Sequence, residues 1–332
     1  RDAATTTAAR EMHGELKKQR MEEAAKEKEK YYKHRHKARQ YPNKYISLIM
    51  DAMDQNKLGV PGFTDPPHHV DNISTFTVKL TGVFNHGHRP HVLAYTSLDK
   101  FPKDADFNIS ILLDVIAQTQ HTSDSERPSV LYLQLDNASD NKNKYMLAFA
   151  YLLVYTNVFR KVKISFLMVG HTHEDIDQVF SRVSIALARK HILSRATLEE
   201  EITNSYSPNI TVRRLKQTGK WNSWLRHTMG LCNIKGIKQC RVFKFERNED
   251  GHVRMWGKRR MQTRKLEFPD CYGDKKGADL FPKLNQTAHN PMSQVPWEEV
   301  MMVPPRALSV ELIQQIVHHL TKGTKSVQMC LM

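Results

Sequence analysis

The stretch 73-ISTFTVKLTGVFNHGHRPHVLAYTSL-98 decides the fold. Its two ends alternate apolar and polar residues and are rich in β-branched side chains, and the link 85-NHGHRP-90 between them predicts a β-hairpin. Another strand, 45-YISLIM-50, precedes the hairpin and is followed by a loop rich in Pro and Gly. A doubly wound nucleotide-binding fold would have a helix directly after the first strand and a glycine-rich phosphate loop, and the sequence has neither.

Helices and strands alternate after the hairpin. Helical spacing of apolar residues predicts a helix near 107–121, a buried helix near 142–156 and a helix from 171 to 190. Between them, apolar runs predict strands at 129–135 and 161–169. The resulting order, β-β-β-α-β-α-β-α, predicts an α/β protein with a mixed sheet and helices on its faces, and it resembles the RNase H-like fold.

Two flanking regions differ from this core in composition. Residues 10–40 contain no Pro and many interleaved charges, which predicts a long exposed helix with too few apolar residues for a core. After residue 195 the pattern weakens to a strand pair at 240–259 and a helix at 309–321. We therefore divide the chain into an exposed charged helix (1–40), an RNase H-like core (41–195) and a basic accessory region (196–332).

The positive charge is concentrated in one segment. The whole chain carries a net charge of +15, and residues 212–265 contain 16 Lys or Arg against 3 Asp or Glu. Clustered basic residues favour a polyanionic partner, because they displace counterions from phosphates, although a solvated basic face has the same composition. The side chains that we expect to contact DNA are Lys142, Lys144, Arg213, Arg214, Lys258, Arg259 and Arg260.

Several further features bear on the compartment. The longest apolar run, 145–159, is too short for a transmembrane helix, so we expect no membrane association. The four cysteines are widely spaced without a CxxC pair, which favours a reducing, intracellular compartment. The run 258-KRRMQTRK-265 is typical of a nuclear-import signal or a DNA contact, so we expect nuclear localisation. The sequence begins with Arg1, which suggests a fragment, and it leaves open whether copies associate as a homo-oligomer.

Three acidic residues follow predicted core strands: Asp51, Asp136 and Asp177. In an RNase H-like sheet the first and fourth strands are parallel neighbours, so Asp51 and Asp136 would emerge side by side, and the helix after the fifth strand could bring Asp177 to them. Three converging carboxylates without thiolates favour Mg²⁺ or Mn²⁺. Acids also commonly end strands and start helices, so each one alone has an ordinary structural explanation.

Three blocks around these acids resemble one family. The segments 46-ISLIMDAMDQNK-57, 133-LQLDNASDNKNKYMLAF-149 and 167-LMVGHTHEDIDQVFSR-182 are similar to blocks of uncharacterised, transposon-related eukaryotic proteins with an RNase H-like DDE/D transposase-type core. The resemblance spans about residues 40–200 and implies Asp51, Asp136 and Asp177 as the catalytic, metal-binding triad. It departs at Ala52, where the family usually has Gly.

Other polar residues allow several interpretations. His171 and His173 could contact a metal-bound water or the scissile phosphate, could form a zinc site, or could belong to the polar start of a helix. Asn137 and its neighbours after the second acid could contact phosphates at a helix N-terminus or only form the turn. The histidines of the hairpin link resemble a metal cluster but lack a fourth ligand; they are His86, His88 and His91.

Two functional hypotheses follow. The first is a transposase-like or transposase-derived protein that cleaves and joins DNA phosphodiesters with Mg²⁺ or Mn²⁺ bound by the three carboxylates. The second is a domesticated, non-catalytic nucleic-acid-binding or chromatin-associated protein that retains the fold. An intact acidic triad favours the first.

Overall fold

The computed structural model describes residues 2–64, 75–98, 101–121, 128–166, 175–228, 230–234, 236–258, 278–281 and 302–303. The helices are α1 (Asp2–Gln40), α2 (Ala105–His121), α3 (Lys144–Tyr155), α4 (Asp175–Leu187), α5 (Arg195–Asn204) and α6 (Trp221–Ser223). The strands are β1 (Tyr45–Ala52), β2 (Gly59–Val60), β3 (Phe76–His86), β4 (Val92–Leu98), β5 (Val130–Leu135), β6 (Lys161–Phe166), β7 (Thr211–Arg214), β8 (Thr218–Gly219), β9 (Val242–Arg247), β10 (Val253–Lys258) and β11 (Met302–Val303).

One mixed sheet organises the described residues. Its strands follow the order β10-β9-β6-β5-β1-β3-β4-β7, with β2 paired to β3. The predicted hairpin is confirmed, since β3 and β4 are antiparallel. β3 is also antiparallel to β1, whereas β1, β5 and β6 are mutually parallel neighbours. The prediction of an α/β protein with a mixed sheet, covered by helices, is therefore confirmed.

Helices cover both faces of this sheet. Leu131, Leu133 and Leu135 of β5 belong to the buried cluster that includes α2 and α3. On the other face, Ile49 of β1 belongs to a cluster with α4 and α5, which also contains Tyr31 of α1. Alternation of side chains along a strand sends neighbouring residues to opposite faces, so each strand contributes to both layers.

The amino-terminal helix differs from the prediction of an exposed element. Residues 11–22 are exposed, but Ala24, Tyr31 and Ala38 are buried. The end of α1 packs against the β3–β4 turn at Gly87, where φ is +96° and a Cβ atom would lie 2.1 Å from the Ala38 carbonyl oxygen. The sparse apolar pattern concealed this packing, because small residues and one aromatic ring suffice when backbones approach closely.

Three strands of the basic region after residue 195 extend the main sheet, whereas β8 and β11 form a separate two-stranded sheet. β7 pairs in parallel with β4 at one edge, and the predicted strand pair, β9 and β10, joins the other edge through β6. The aromatic residues Trp221, Trp224, Phe243 and Phe245 are buried in the main cluster, as core packing predicts. The predicted helix at 309–321 lies outside the described residues. Among the described helices, none has the length and apolarity to cross a membrane.

Candidate functional site

Asp51 and Asp136 lie next to each other at the carboxyl-terminal ends of the central strands β1 and β5. Met50 is in register with Leu135 across the parallel strands β1 and β5, so the two acids follow the same pair of residues. Both line one cavity of about 20 Å³, which is enough for one water molecule and too small for a nucleotide. The cavity is also lined by the polar side chains Asn108, Asp140, Asn141, Lys79 and Lys103.

A chain of amides orients the carboxylate of Asp136. The buried Asn141 donates its Nδ2 hydrogen to Asp136 Oδ1 at 2.5 Å, and the backbone N–H of Ala138 donates to the same oxygen at 3.2 Å. Asn108 of α2 in turn donates to Asn141 Oδ1 at 2.9 Å. These bonds fix one oxygen of Asp136. The sequence did not indicate Asn108, because its partner lies on another element.

The carboxylate of Asp51 is in an unfavourable electrostatic setting. Its pKa is raised to about 6, mainly by burial and also by the nearby negative charges of Asp136 and Asp177, against the opposing effects of the Ala52 N–H and of Lys103. The Ala52 N–H donates to Asp51 Oδ1 at 2.8 Å. Asp51 thus lies close enough to both Asp136 and Asp177 to be repelled by them.

Asp177 comes close to these strand ends because α4 packs on β3. Gly82 of β3 is in register with Asp51, and α4 lies directly over it. A Cβ atom at Gly82 would lie 2.8 Å from Ile176 Cδ1 and 2.9 Å from Phe180 Cε1, so the absence of a side chain permits this approach. Asp177 is not among the side chains that line the cavity.

The described residues contain no group of three or more His, Cys, Asp or Glu side chains arranged to hold a metal ion. The oxygen donors of Asp51 and Asp136 suit a hard cation such as Mg²⁺ or Mn²⁺, and their mutual repulsion favours a cation between them. The cavity is therefore lined by three carboxylates, those of Asp51, Asp136 and Asp140, and the carboxylate of Asp177 is nearby.

The first residue of α4, Asp175, has a structural role that the sequence did not reveal. Arg35 Nη1 lies 2.8 Å from both carboxylate oxygens of Asp175, and the Tyr31 hydroxyl donates to Oδ2 at 3.1 Å. The buried His86 is 3.4 Å from the same oxygen. These contacts join α1 to α4 across 140 residues of sequence, a separation at which no local pattern could have indicated them.

The polar residues after Asp136 mostly stabilise the start of α3. Asn143 Oδ1 accepts hydrogen bonds from Tyr145 N and Met146 N at 3.0 Å, so this residue is the N-cap. Lys142 donates to the Lys238 carbonyl oxygen at 3.1 Å, and Lys144 lies 5.2 Å from the ring centroid of Tyr145. Asn137 is exposed. Its predicted supporting role remains a prediction.

The predicted DNA-contacting arginines of β7 are engaged in ion pairs. Arg213 lies 2.8 Å from Asp114, and Arg214 lies 2.7 Å from Glu199. Lys258 is half-buried at the end of β10. The predicted site residues His171, His173, Arg259 and Arg260 lie outside the described residues.

The histidines of the hairpin have separate partners. His86 Nε2 is 2.8 Å from the Tyr31 hydroxyl, His88 Nε2 is 3.3 Å from the Tyr45 carbonyl oxygen, and His91 Nδ1 is 3.3 Å from the Asn85 carbonyl oxygen. They contribute to no group of metal ligands within the described part of the chain.

Comparison with known proteins identifies a family. Residues 68–263 match the model of a domain of unknown function, DUF7869. The chain belongs to this family. The matched residues include Asp136 and Asp177, whereas Asp51 and α1 precede them. No curated protein matches the DUF7869 chain, and neither does any solved structure.

Proposed function

We propose that this DUF7869 protein has an RNase H-like core and is a transposase-like or transposase-derived DNA-binding protein that cleaves DNA phosphodiesters with a divalent cation. Asp51 and Asp136 would hold Mg²⁺ or Mn²⁺, and Asp177 would complete the site. The observation that carries the proposal is the meeting of Asp51 and Asp136 at the ends of adjacent parallel strands, in one cavity, with the carboxylate of Asp177 close by.

The topology supports the fold part of the proposal. A first strand flanked on one side by an antiparallel hairpin, and on the other by two parallel strands joined through helices, is the order expected of an RNase H-like sheet. α4 follows the last of these strands and carries Asp177. The proposal thus rests on topology and on the positions of the acids together.

The protein groups around the cavity have separate tasks. Asn108 and Asn141 orient Asp136, while the Ala52 N–H holds one oxygen of Asp51. Lys103, which lines the cavity, is partly exposed and lies 3.8 Å from Asp140, and its charge can also attract a phosphate. The chemistry that Mg²⁺ or Mn²⁺ supplies at such a site is activation of a nucleophilic oxygen and stabilisation of the leaving oxygen.

A cleavage assay tests the proposal. Labelled duplex DNA is incubated with the protein and Mg²⁺ or Mn²⁺, alongside a variant with Asp51→Asn, Asp136→Asn and Asp177→Asn. We expect the variant to lose at least about 10³-fold in rate, because transition-state charge is no longer stabilised. Titration of the protein with Mn²⁺ alone in a calorimeter provides a readout besides activity, and the variant should show no specific binding.

A matched control distinguishes the loss of these three acids from the mere change in net charge. Glu11→Gln, Glu22→Gln and Glu249→Gln remove three exposed carboxylates and should leave cleavage unchanged. Equal cleavage by the wild type and the triple Asp variant would contradict the proposal. Absence of cleavage by the wild type, together with tight DNA binding, would instead favour a non-catalytic nucleic-acid-binding protein that retains the fold.

A further inference from the structure

Three stacked rings lie where α1 crosses the sheet. The imidazole of His34 on α1 stacks on Tyr132 of β5, with centroids 3.8 Å apart and planes at 3°. Tyr45 of β1 stacks on the same tyrosine from the side, at 5.8 Å and 12°. Tyr132 is buried, whereas His34 and Tyr45 are half-buried, so part of this stack faces solvent.

Four lysines surround the rings. We call the four lysines and the three rings together the lysine–ring cluster. The ammonium of Lys163 on β6 is 5.9 Å from the Tyr132 centroid. Those of Lys37 and Lys44 are each 5.7 Å from the Tyr45 centroid. Lys30 lies one helical turn before His34 and is close enough to Lys163 to affect its charge. The cluster consists of His34, Tyr45, Tyr132, Lys30, Lys37, Lys44 and Lys163.

The four lysines lack carboxylate partners within the part of the chain that the structure describes. Neighbouring cations have them: Lys161 and Lys244 pair with Glu246, and Arg241 pairs with Glu23 and Glu27. Glu246, which acts on Lys163 from a distance, is thus shared with two other lysines. Positive charge in the cluster is therefore in excess among the described residues.

The titration behaviour of two groups reflects this excess. Burial, together with the charges of Lys30, Lys161 and Lys244, lowers the pKa of Lys163 to about 8, against the smaller opposing effect of Glu246. Burial, and then the charges of Lys163, Lys30 and Lys37, lower the pKa of His34 to about 3. An anion bound among these side chains would relieve the repulsion.

We propose that the lysine–ring cluster binds the phosphate backbone of DNA. The inference takes its class of partner from the proposed function, but it needs no cleavage. Several lysines along one strip match a polymer with a regular row of phosphates, and exposed ring surface can contact sugars or bases. The six large hydrophobic residues that are exposed in the described part of the chain all lie outside the cluster, which does not favour insertion into a lipid surface.

A charge-neutralising variant tests the site. Binding of a fluorescent duplex of about 20 base pairs is measured by anisotropy over a range of salt concentrations. The full chain is compared with a variant carrying Lys30→Gln, Lys37→Gln, Lys44→Gln and Lys163→Gln. We expect the dissociation constant to rise at least about tenfold and the slope of log affinity against log salt to flatten by about 3.6, since each of the four lost phosphate contacts removes about 0.9.

Three controls make the result specific. Lys17→Gln, Lys18→Gln, Lys26→Gln and Lys57→Gln remove the same charge from exposed positions outside the cluster and should change affinity less than about twofold. Replacing the four cluster lysines with Arg should preserve binding, because the charge remains. Thermal unfolding of each variant verifies that the fold is retained.

The outcomes distinguish this inference from the proposed function. Loss of binding in the cluster variant supports the inference even if the wild type never cleaves DNA. If the cluster variant binds DNA like the wild type, the inference is wrong, and the same holds if Arg213→Gln with Arg214→Gln weakens binding as much. Loss of binding to phosphatidylserine vesicles, with DNA binding intact, would assign the cluster to a membrane surface instead.

Discussion

Two basic regions of the molecule differ in how their charges are compensated. On the edge strand β7, Arg213 and Arg214 face Asp114 and Glu199 at ion-pair distances. In the lysine–ring cluster, no described carboxylate pairs with the lysines. The β7 region lies in the part of the sequence with the most positive charge. The lysines of the cluster, however, are the ones that form no ion pair with a described carboxylate. Positive residues therefore indicate an anion-binding surface only when their partners are known.

The difference follows from the way each region joins the sheet. The arginines of β7 connect an added edge strand to α2 and α5, and their carboxylate partners make that connection stable. The lysines of the cluster meet because α1 packs across β1 and β5, which brings cations from distant segments together. The ion pairs of β7 stabilise the fold. The lysines of the cluster lie close together without such partners, so their charge is available for a ligand.

The largest effect should come from separating α1 from the sheet. Gly87→Ala would place a Cβ atom 2.1 Å from the Ala38 carbonyl oxygen, at a residue whose φ is +96°. We expect the free energy of unfolding, measured with urea, to fall by about 2–4 kcal/mol. DNA binding by the lysine–ring cluster should weaken as well, since α1 carries Lys30 and Lys37.

Gly14→Ala is the matched control for this change. Nothing lies within 4 Å of a Cβ atom at this exposed position of α1, so the variant should gain up to about 1 kcal/mol from helix propensity. A Gly87→Ala variant as stable as the wild type would show that the close approach of α1 is not required.

A smaller effect should result from breaking the ion pairs of the β7 region. Glu199 accepts hydrogen bonds from the Thr96 hydroxyl at 2.7 Å and from Arg195 and Arg214 at 2.8 Å. Glu199→Gln should reduce the free energy of unfolding by about 1–3 kcal/mol, because two cations lose their charged partner. Urea titration measures this loss.

Asp114→Asn, a change in α2, provides the comparison, because Asp114 pairs with Arg213 of the same strand β7. Asp114 and Arg213 are more exposed than Glu199, with side-chain exposures of 32% and 44%, and the amide oxygen of Asn can still accept the hydrogen bonds that Tyr95 and Gln118 donate to Asp114. The loss should therefore be below about 1 kcal/mol. Equal losses in the two variants would contradict the idea that Glu199 is the main connection between α5 and β7.

The smallest effect concerns acid sensitivity where α1 meets the sheet. Burial lowers the pKa of His86 to about 3, so the folded protein keeps this ring neutral while the unfolded chain protonates it near the ordinary value of about 6.5. The neutral His86 ring thus contributes its full stability above pH 6.5, and this contribution is lost as the pH falls toward 3. From pH 7 to 6, the contribution of His86 to the free energy of unfolding should fall by roughly 0.7 kcal/mol.

Urea unfolding of His86→Gln at both pH values checks this contribution. The variant should be less stable at pH 7 but should depend less on pH, whereas His13→Gln, at an exposed position of α1, should behave like the wild type. An unchanged pH dependence in His86→Gln would rule out His86 as the acid-sensitive group.

Much of the fold follows from local patterns. The hairpin, the alternation of strands and helices, and the strand pair β9–β10 were predictable, because periods of 2 and 3.6 residues report directly on strands and helices. The neighbouring positions of Asp51 and Asp136 were also predictable, since they depend on strand order and register. By contrast, Asn108, Asp175 and Gly82 gave no local signal, because their partners belong to other elements.

The sequence by itself determined the class of the fold, the main strands and the meeting of two acids, since these depend on periodicity and on the rules of strand connection. Only the tertiary structure decided how the charges are paired. It assigned the arginines of β7 to Asp114 and Glu199, and it gathered lysines from α1, β6 and the segment before β1 around Tyr45 and Tyr132. The physical reason is that charge compensation depends on distances in space, which residues far apart in the sequence acquire only when the elements pack.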